Sequence, residues 1–133
     1  MSITYKPLLI SGTVISGLGE GSYFVSLPYY NNAFAQIIGQ KPFSGTLNLL
    51  VDSEERSHIF KKISFLSLPG TTINHKTFGG VSYCFCTIKN ISCLFIIPEI
   101  NKHNNTVIEL ISSFNLRETL HLSDHSLVTI HIP

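Results

Sequence analysis

At 133 residues, with 44% apolar and only 13% charged residues, the chain has the size and composition of one packed domain and not of a disordered or low-complexity segment. A formal charge of +1 with scattered Lys and Arg, Lys61 and Lys62 being the only adjacent pair, argues against a nucleic-acid surface. No apolar run approaches the roughly 18 residues of a membrane span, and the N-terminus lacks a signal-peptide apolar region, so a cytoplasmic protein without a membrane partner is expected.

In chain order, Pro7 to Ser16 reads as a first strand rich in Leu, Ile and Val, followed by three glycines at 17, 19 and 21, with Tyr23 to Leu27 resuming extended structure. Pro28 opens a helix over Tyr30 to Ile38, with Ala33, Phe34, Ile37 and Ile38 on one stripe and Gly39 as its stop. Pro42 to Gly45 is a turn. Thr46 to Asp52 alternates as a strand, and Ser53 to Arg56 starts a short helix reaching about Lys61. Phe65 to Lys76 is turn-rich.

Two further β runs, Phe78 to Ile88 and Ser92 to Ile97, flank Lys89 and Asn90, a pair suited to a two-residue hairpin turn. Pro98 to Asn105 is a polar loop. Val107 to Ser112 is apolar and partly β-branched and is assigned as a strand; Asn115 caps a short helix to Leu120, and Leu127 to Ile132 forms the last strand. Six or seven short strands with short helices and no repeated βαβ spacing favour a mostly β fold, a small closed barrel. Cys84, Cys86 and Cys93 lack zinc or redox spacing and read as free, buried small hydrophobes. The six histidines share no ligand spacing.

Two stretches carry chemistry. Glycines 17, 19 and 21 let backbone amides turn inward around phosphate oxygens, because glycine tolerates positive φ and has no Cβ to hold a ligand away. Thr46 and Asn48, two apart on a strand, offer hard neutral oxygens on one face, which suit Mg²⁺ when waters and phosphates complete its shell. Either motif alone has an ordinary structural explanation: a hairpin bend for the first, a satisfied strand end for the second. Glu20 would repel phosphate unless magnesium, a ribose hydroxyl or a base amine engages it.

Ser16 to Pro28, then Gly39, Pro42, Gly45 to Leu49 and Asp52, and finally Asn115 to Glu118, closely resemble the archaeal CTP-dependent riboflavin kinases, in order along almost the whole chain. The resemblance implies a six-stranded cradle-loop barrel that moves the γ-phosphoryl of CTP to the 5′-hydroxyl of riboflavin, giving FMN and CDP with Mg²⁺. It implies a nucleotide loop at Gly17, Leu18, Gly19, Glu20, Gly21 and Ser22, and a second nucleotide segment at Phe114, Asn115, Leu116 and Arg117. It further implies magnesium ligands at Thr46 and Asn48 and flavin contacts at Asn101 and Glu109, with Glu109 the best candidate to accept the 5′-hydroxyl proton or orient the ribityl chain.

Asn101 stands where the family more often has threonine, and Ser22 where a relative has arginine. Tyr29, Tyr30, Phe34, Phe43 and Phe114 could flank a flavin ring, though most are more naturally core. The expected unit is a single domain over residues 1–133, a monomer, without the N-terminal helix-turn-helix domain of some members. Two alternatives are a cradle-loop barrel that binds DNA as a transcriptional regulator, suggested by Leu116 to Ile130, and a flavin- or nucleotide-binding module that has lost catalysis.

Overall fold

The computed structural model describes residues 8–16, 24–99 and 105–133. The described residues hold, in chain order, β1 (Leu8–Ile15), α1 (Pro28–Ile38), β2 (Leu47–Leu50), α2 (Ser53–Phe60), β3 (Leu66–Leu68), β4 (Thr71–Ile73), β5 (Lys76–Phe78), β6 (Val81–Ile88), β7 (Ile91–Pro98), β8 (Val107–Ile111), α3 (Leu116–Thr119) and β9 (Leu127–Ile132). Six of the strands form a closed antiparallel ring in the order β6-β7-β8-β2-β1-β9. The ring closes where β9 meets β6, through a seam whose register is the single pair Thr87 and His131. β3 adds to the outer edge of β6, and β4 and β5 make a separate hairpin.

Alternation fills the barrel. Ile10 and Val14 of β1, Leu47 and Leu49 of β2, Phe95 of β7, Ile108 and Leu110 of β8, and Val128, Ile130 and Ile132 of β9 point inward as one buried cluster. α2 adds Ile59 to this core, and its Phe60 packs edge-on against Phe95 with ring centroids 5.0 Å apart. A second core lies outside the barrel wall, where Tyr30 and Phe34 of α1 join Val25 in covering Val81, Leu94, Ile96 and Ile111. β7 is therefore buried on both faces, which explains the unbroken apolar run from Cys93 to Ile97.

Local chemistry sets the turns. Gly39 ends α1 with φ 86°, its N–H bonded to the Ala35 carbonyl at 2.8 Å. Lys89 and Asn90 both have positive φ, as a type I′ hairpin turn requires, and Asn74 and His75 do the same between β4 and β5. Gly12 permits β1 to cross β2: a Cβ there would lie 2.7 Å from the Leu50 carbonyl oxygen and 2.8 Å from a Val51 methyl.

Four sequence expectations are corrected. Residues 24–26 are helical and not extended, because Val25 is drawn fully into the second core. The strand expected over Thr46 to Asp52 is confined to Leu47–Leu50, since Asp52 turns out of the sheet to cap α2 by accepting a hydrogen bond from the Glu55 N–H. Phe78 and Ile88 belong to different strands, separated at Gly79 and Gly80. The turn-rich stretch from Phe65 holds the short strands β3 and β4, whose few residues and largely exposed side chains leave little periodic signal.

All three cysteines are free and buried. Cys86 and Cys93 face each other across β6 and β7 with Sγ atoms 3.3 Å apart. Burial pushes the Cys84 thiol up to about 12, and the contact with Cys93 together with burial pushes Cys86 well above the ordinary thiol range. Iodoacetamide is therefore expected to label none of the three in native buffer and all three in denaturant; a native mass shift would show that the β6–β7 hairpin opens readily.

Candidate functional site

Strand register assembles the residues that the sequence scatters. Asn48 on β2 pairs directly with Glu109 on β8, and on its other side with Ile15 of β1. Directly opposed residues share a face of the sheet, with Cβ atoms about 4.5–5.5 Å apart. Leu47 and Leu49 alternate with Asn48 into the barrel core, as Ile108 and Leu110 do with Glu109, so Asn48 and Glu109 stand side by side on the outer wall, both partly exposed. Glu109 also pairs with Ile96 of β7.

One residue pair further along the same two strands lies a small cleft of about 70 Å³. It is lined by Thr46, Phe43 and Ser112 together with Phe114, Asn115, Leu116 and Arg117. The Thr46 hydroxyl region and the C-terminal segment, 68 residues apart in sequence at their nearest, thus share one opening. Asn48 and Glu109 do not line it. The volume is a fraction of the roughly 300–1,000 Å³ of sites for whole ligands, so the cleft by itself is too small to enclose one.

The cleft's walls are fixed by short-range bonds. The Phe43 N–H donates to the Ser112 carbonyl at 2.8 Å, and the buried Ser112 hydroxyl donates to the Ser92 carbonyl at 2.9 Å. The Phe114 N–H donates to that same hydroxyl at 3.2 Å, which sets the direction of the chain entering α3. Asn115 accepts from the Glu118 N–H at 3.3 Å as the cap of α3, so its side chain is already engaged. Leu116 is buried in the barrel core. Phe43 and Phe114 remain half exposed beside the cleft, whereas Tyr30 and Phe34 are core residues and the Tyr29 hydroxyl donates to the Pro69 carbonyl.

Arg117 reaches back to β1. Its Nη2 donates to the Ile15 carbonyl at 3.2 Å and to Asp124 Oδ1 at 3.0 Å. The Ser16 hydroxyl donates to both oxygens of the same carboxylate, at 2.9 and 3.0 Å. The hydrogen bond from Ser16, and then that from Arg117, hold the Asp124 carboxyl below the usual carboxylate range. Neither the Ser112 brace nor the Asp124 contact has a local motif in the sequence.

Residues 17–22, assigned above to a nucleotide loop, and Asn101, assigned to flavin, lie outside the described residues. Among the described residues no group of three or more His, Cys, Asp and Glu side chains is placed to hold a metal ion. The oxygen-bearing residues in question are Thr46, which lines the cleft and directly precedes β2, and Asn48, with Glu109 as its cross-strand neighbour. That donor set fits a hard cation that keeps most of its shell in water and phosphate, and does not fit a soft or transition metal. No helix among the described residues is long and apolar enough to cross a membrane.

The family model for CTP-dependent riboflavin kinases, described as Domain of unknown function DUF120, matches residues 14–132. The chain belongs to this family. Among similar curated proteins, a riboflavin kinase of Methanoculleus marisnigri is 36% identical over 126 residues, covering 92% of this chain and 56% of the relative. Riboflavin kinases of Pyrobaculum aerophilum (35% over 123 residues, 91% of this chain and 59% of the relative) and Thermoplasma acidophilum (36% over 127 residues, 94% and 57%) are comparable. The chain spans little more than half the length of these relatives. Membership in the CTP-dependent riboflavin kinase family accords with the closed six-stranded ring, and the Asn48–Glu109 pair and the 114–117 cleft both fall within the matched residues.

Proposed function

We propose that this chain, acting as a single barrel domain, phosphorylates the ribityl 5′-hydroxyl of riboflavin with CTP to give FMN and CDP. The observation that carries the reading is the register that sets Asn48 against Glu109, one pair from the cleft of Thr46 and Phe114 to Arg117, in a chain of this family. Phosphoryl transfer demands positioning and charge neutralisation more than covalent chemistry, so a carboxylate, two neutral oxygens and an arginine near one another are an adequate set.

Each residue then has a distinct task. Phe114 to Arg117, with the backbone of residues 17–22, hold the nucleotide, and Arg117 contributes positive charge at the cleft. Thr46 and Asn48 would hold Mg²⁺, which when bound supplies charge neutralisation on the phosphate oxygens. Glu109 orients the ribityl chain and accepts the 5′-hydroxyl proton as attack on the γ-phosphorus proceeds, with Asn101 as a second flavin contact. The near-neutral charge of +1 gives nucleic acid no electrostatic hold, and we place the enzyme in the cytoplasm as a monomer.

The test is direct. Purified protein with CTP, riboflavin and Mg²⁺ should yield FMN on chromatography, with ATP a poor substitute. No FMN at saturating substrates would overturn the reading.

A further inference from the structure

The Asp124 carboxylate lies in a turn that is pinned to β1 independently of its own side chain. The Val14 N–H donates to the Ser126 carbonyl at 2.9 Å and the His125 N–H returns a bond to the Val14 carbonyl at 2.8 Å. His125 takes a positive φ of 74°, and Ser126 closes the turn through its N–H to the Ser123 carbonyl and its hydroxyl to the Ser123 N–H. The carboxylate is thereby delivered beneath the end of β1, where one oxygen meets both Ser16 Oγ and Arg117 Nη2. Arg117 also lines the cleft, while its Nη2 is held by Asp124 and by the Ile15 carbonyl. Ile15 is in turn the cross-strand neighbour of Asn48.

We propose that Asp124 is a positioning residue that locks the nucleotide segment to the exit of β1, fixing Arg117 and Ser16 in one register. An exposed ion pair contributes little to stability. Its effect here is geometric: a single carboxylate joins the cleft-lining arginine to the last residue before the Gly17 to Gly21 stretch, across 108 residues of sequence between Ser16 and Asp124. Without it, among the described residues Arg117 keeps the Ile15 carbonyl alone, one bond about which the guanidinium can swing. Loss of the carboxylate should therefore weaken nucleotide binding while leaving the phosphoryl-transfer step and riboflavin binding nearly intact. The binding part of this inference rests on the kinase reading above; the anchoring part does not.

The test combines hydrogen exchange with steady-state kinetics on Asp124→Ala, Asp124→Asn, Asp124→Glu and Ser16→Ala. Without ligands, peptides covering residues 8–16 and 114–126 should exchange faster in Asp124→Ala than in wild type, while peptides from β7 do not change. The KM for CTP should rise about tenfold, with kcat and the KM for riboflavin within twofold. Asp124→Asn should follow Asp124→Ala, Asp124→Glu should recover part of the loss, and Ser16→Ala added to Asp124→Ala should cost nothing more. Unchanged exchange in both peptides overturns the anchor. Faster exchange with an unaltered KM for CTP overturns its role in nucleotide binding. Faster exchange in a protein whose wild type makes no FMN upholds the anchor and defeats the kinase reading instead.

Discussion

Replacing Asn48 with leucine is expected to lower kcat/KM for FMN formation by roughly 10²–10³, the scale on which one electrostatic contact to the transition state acts. Leucine has the same branched side-chain skeleton as asparagine and no oxygen. Asn48 is partly exposed on the outer wall, so the swap should shift folding stability by no more than about 0.5 kcal/mol. The deficit should be spread over both Mg²⁺ dependence and kcat, whereas Asn48→Asp, which keeps an oxygen, should retain measurable turnover. An Asn48→Leu protein with wild-type rates at limiting Mg²⁺ would remove Asn48 from the proposed metal site and leave Glu109 without its proposed partner.

The largest effect on folding is expected at Phe95. Its side chain is 1% exposed and sits between the rings of Phe60 and Phe65, at centroid distances of 5.0 and 5.9 Å. Phe95→Ala should cost about 3–5 kcal/mol, from lost burial and from the cavity that the two remaining rings cannot easily collapse to fill. Against a typical total of about 5–15 kcal/mol, much of the native margin disappears. Urea unfolding followed by circular dichroism would measure it; a midpoint unmoved from wild type would mean that α2 is not seated on the barrel.

The contrast between these two residues shows what the sequence makes legible. Gly39, the Lys89 and Asn90 turn and the Asn115 cap were all readable, because each acts through neighbours within four residues. Closure of the barrel was readable from strand count and length, although its order, with β8 between β7 and β2, was not. Residues 24–26 misled because an apolar run of extended appearance was recruited by a core contributed mainly by β6, β7 and β8. For the site, Thr46 and Asn48 were suggested by two oxygen side chains at strand spacing, Glu109 and Phe114 to Arg117 came from family likeness, and only the register made Asn48 and Glu109 neighbours. Asp124 was invisible for the same reason that it is informative: both of its partners are brought to it by tertiary structure, Ser16 from the far end of the chain.

The seam between β6 and β9 has a consequence for where this barrel can afford to loosen. Going round the ring from that seam in either direction, the joint between β2 and β8 is the farthest away, and it is there that Asn48 meets Glu109. Unzipping at Thr87 and His131 would leave an open sheet in which the pairing of β2 with β8, at its centre, is still intact. In ladder pairs the β6–β9 seam is the shortest joint of the cylinder, and it lies diametrically opposite the joint that holds Asn48 beside Glu109.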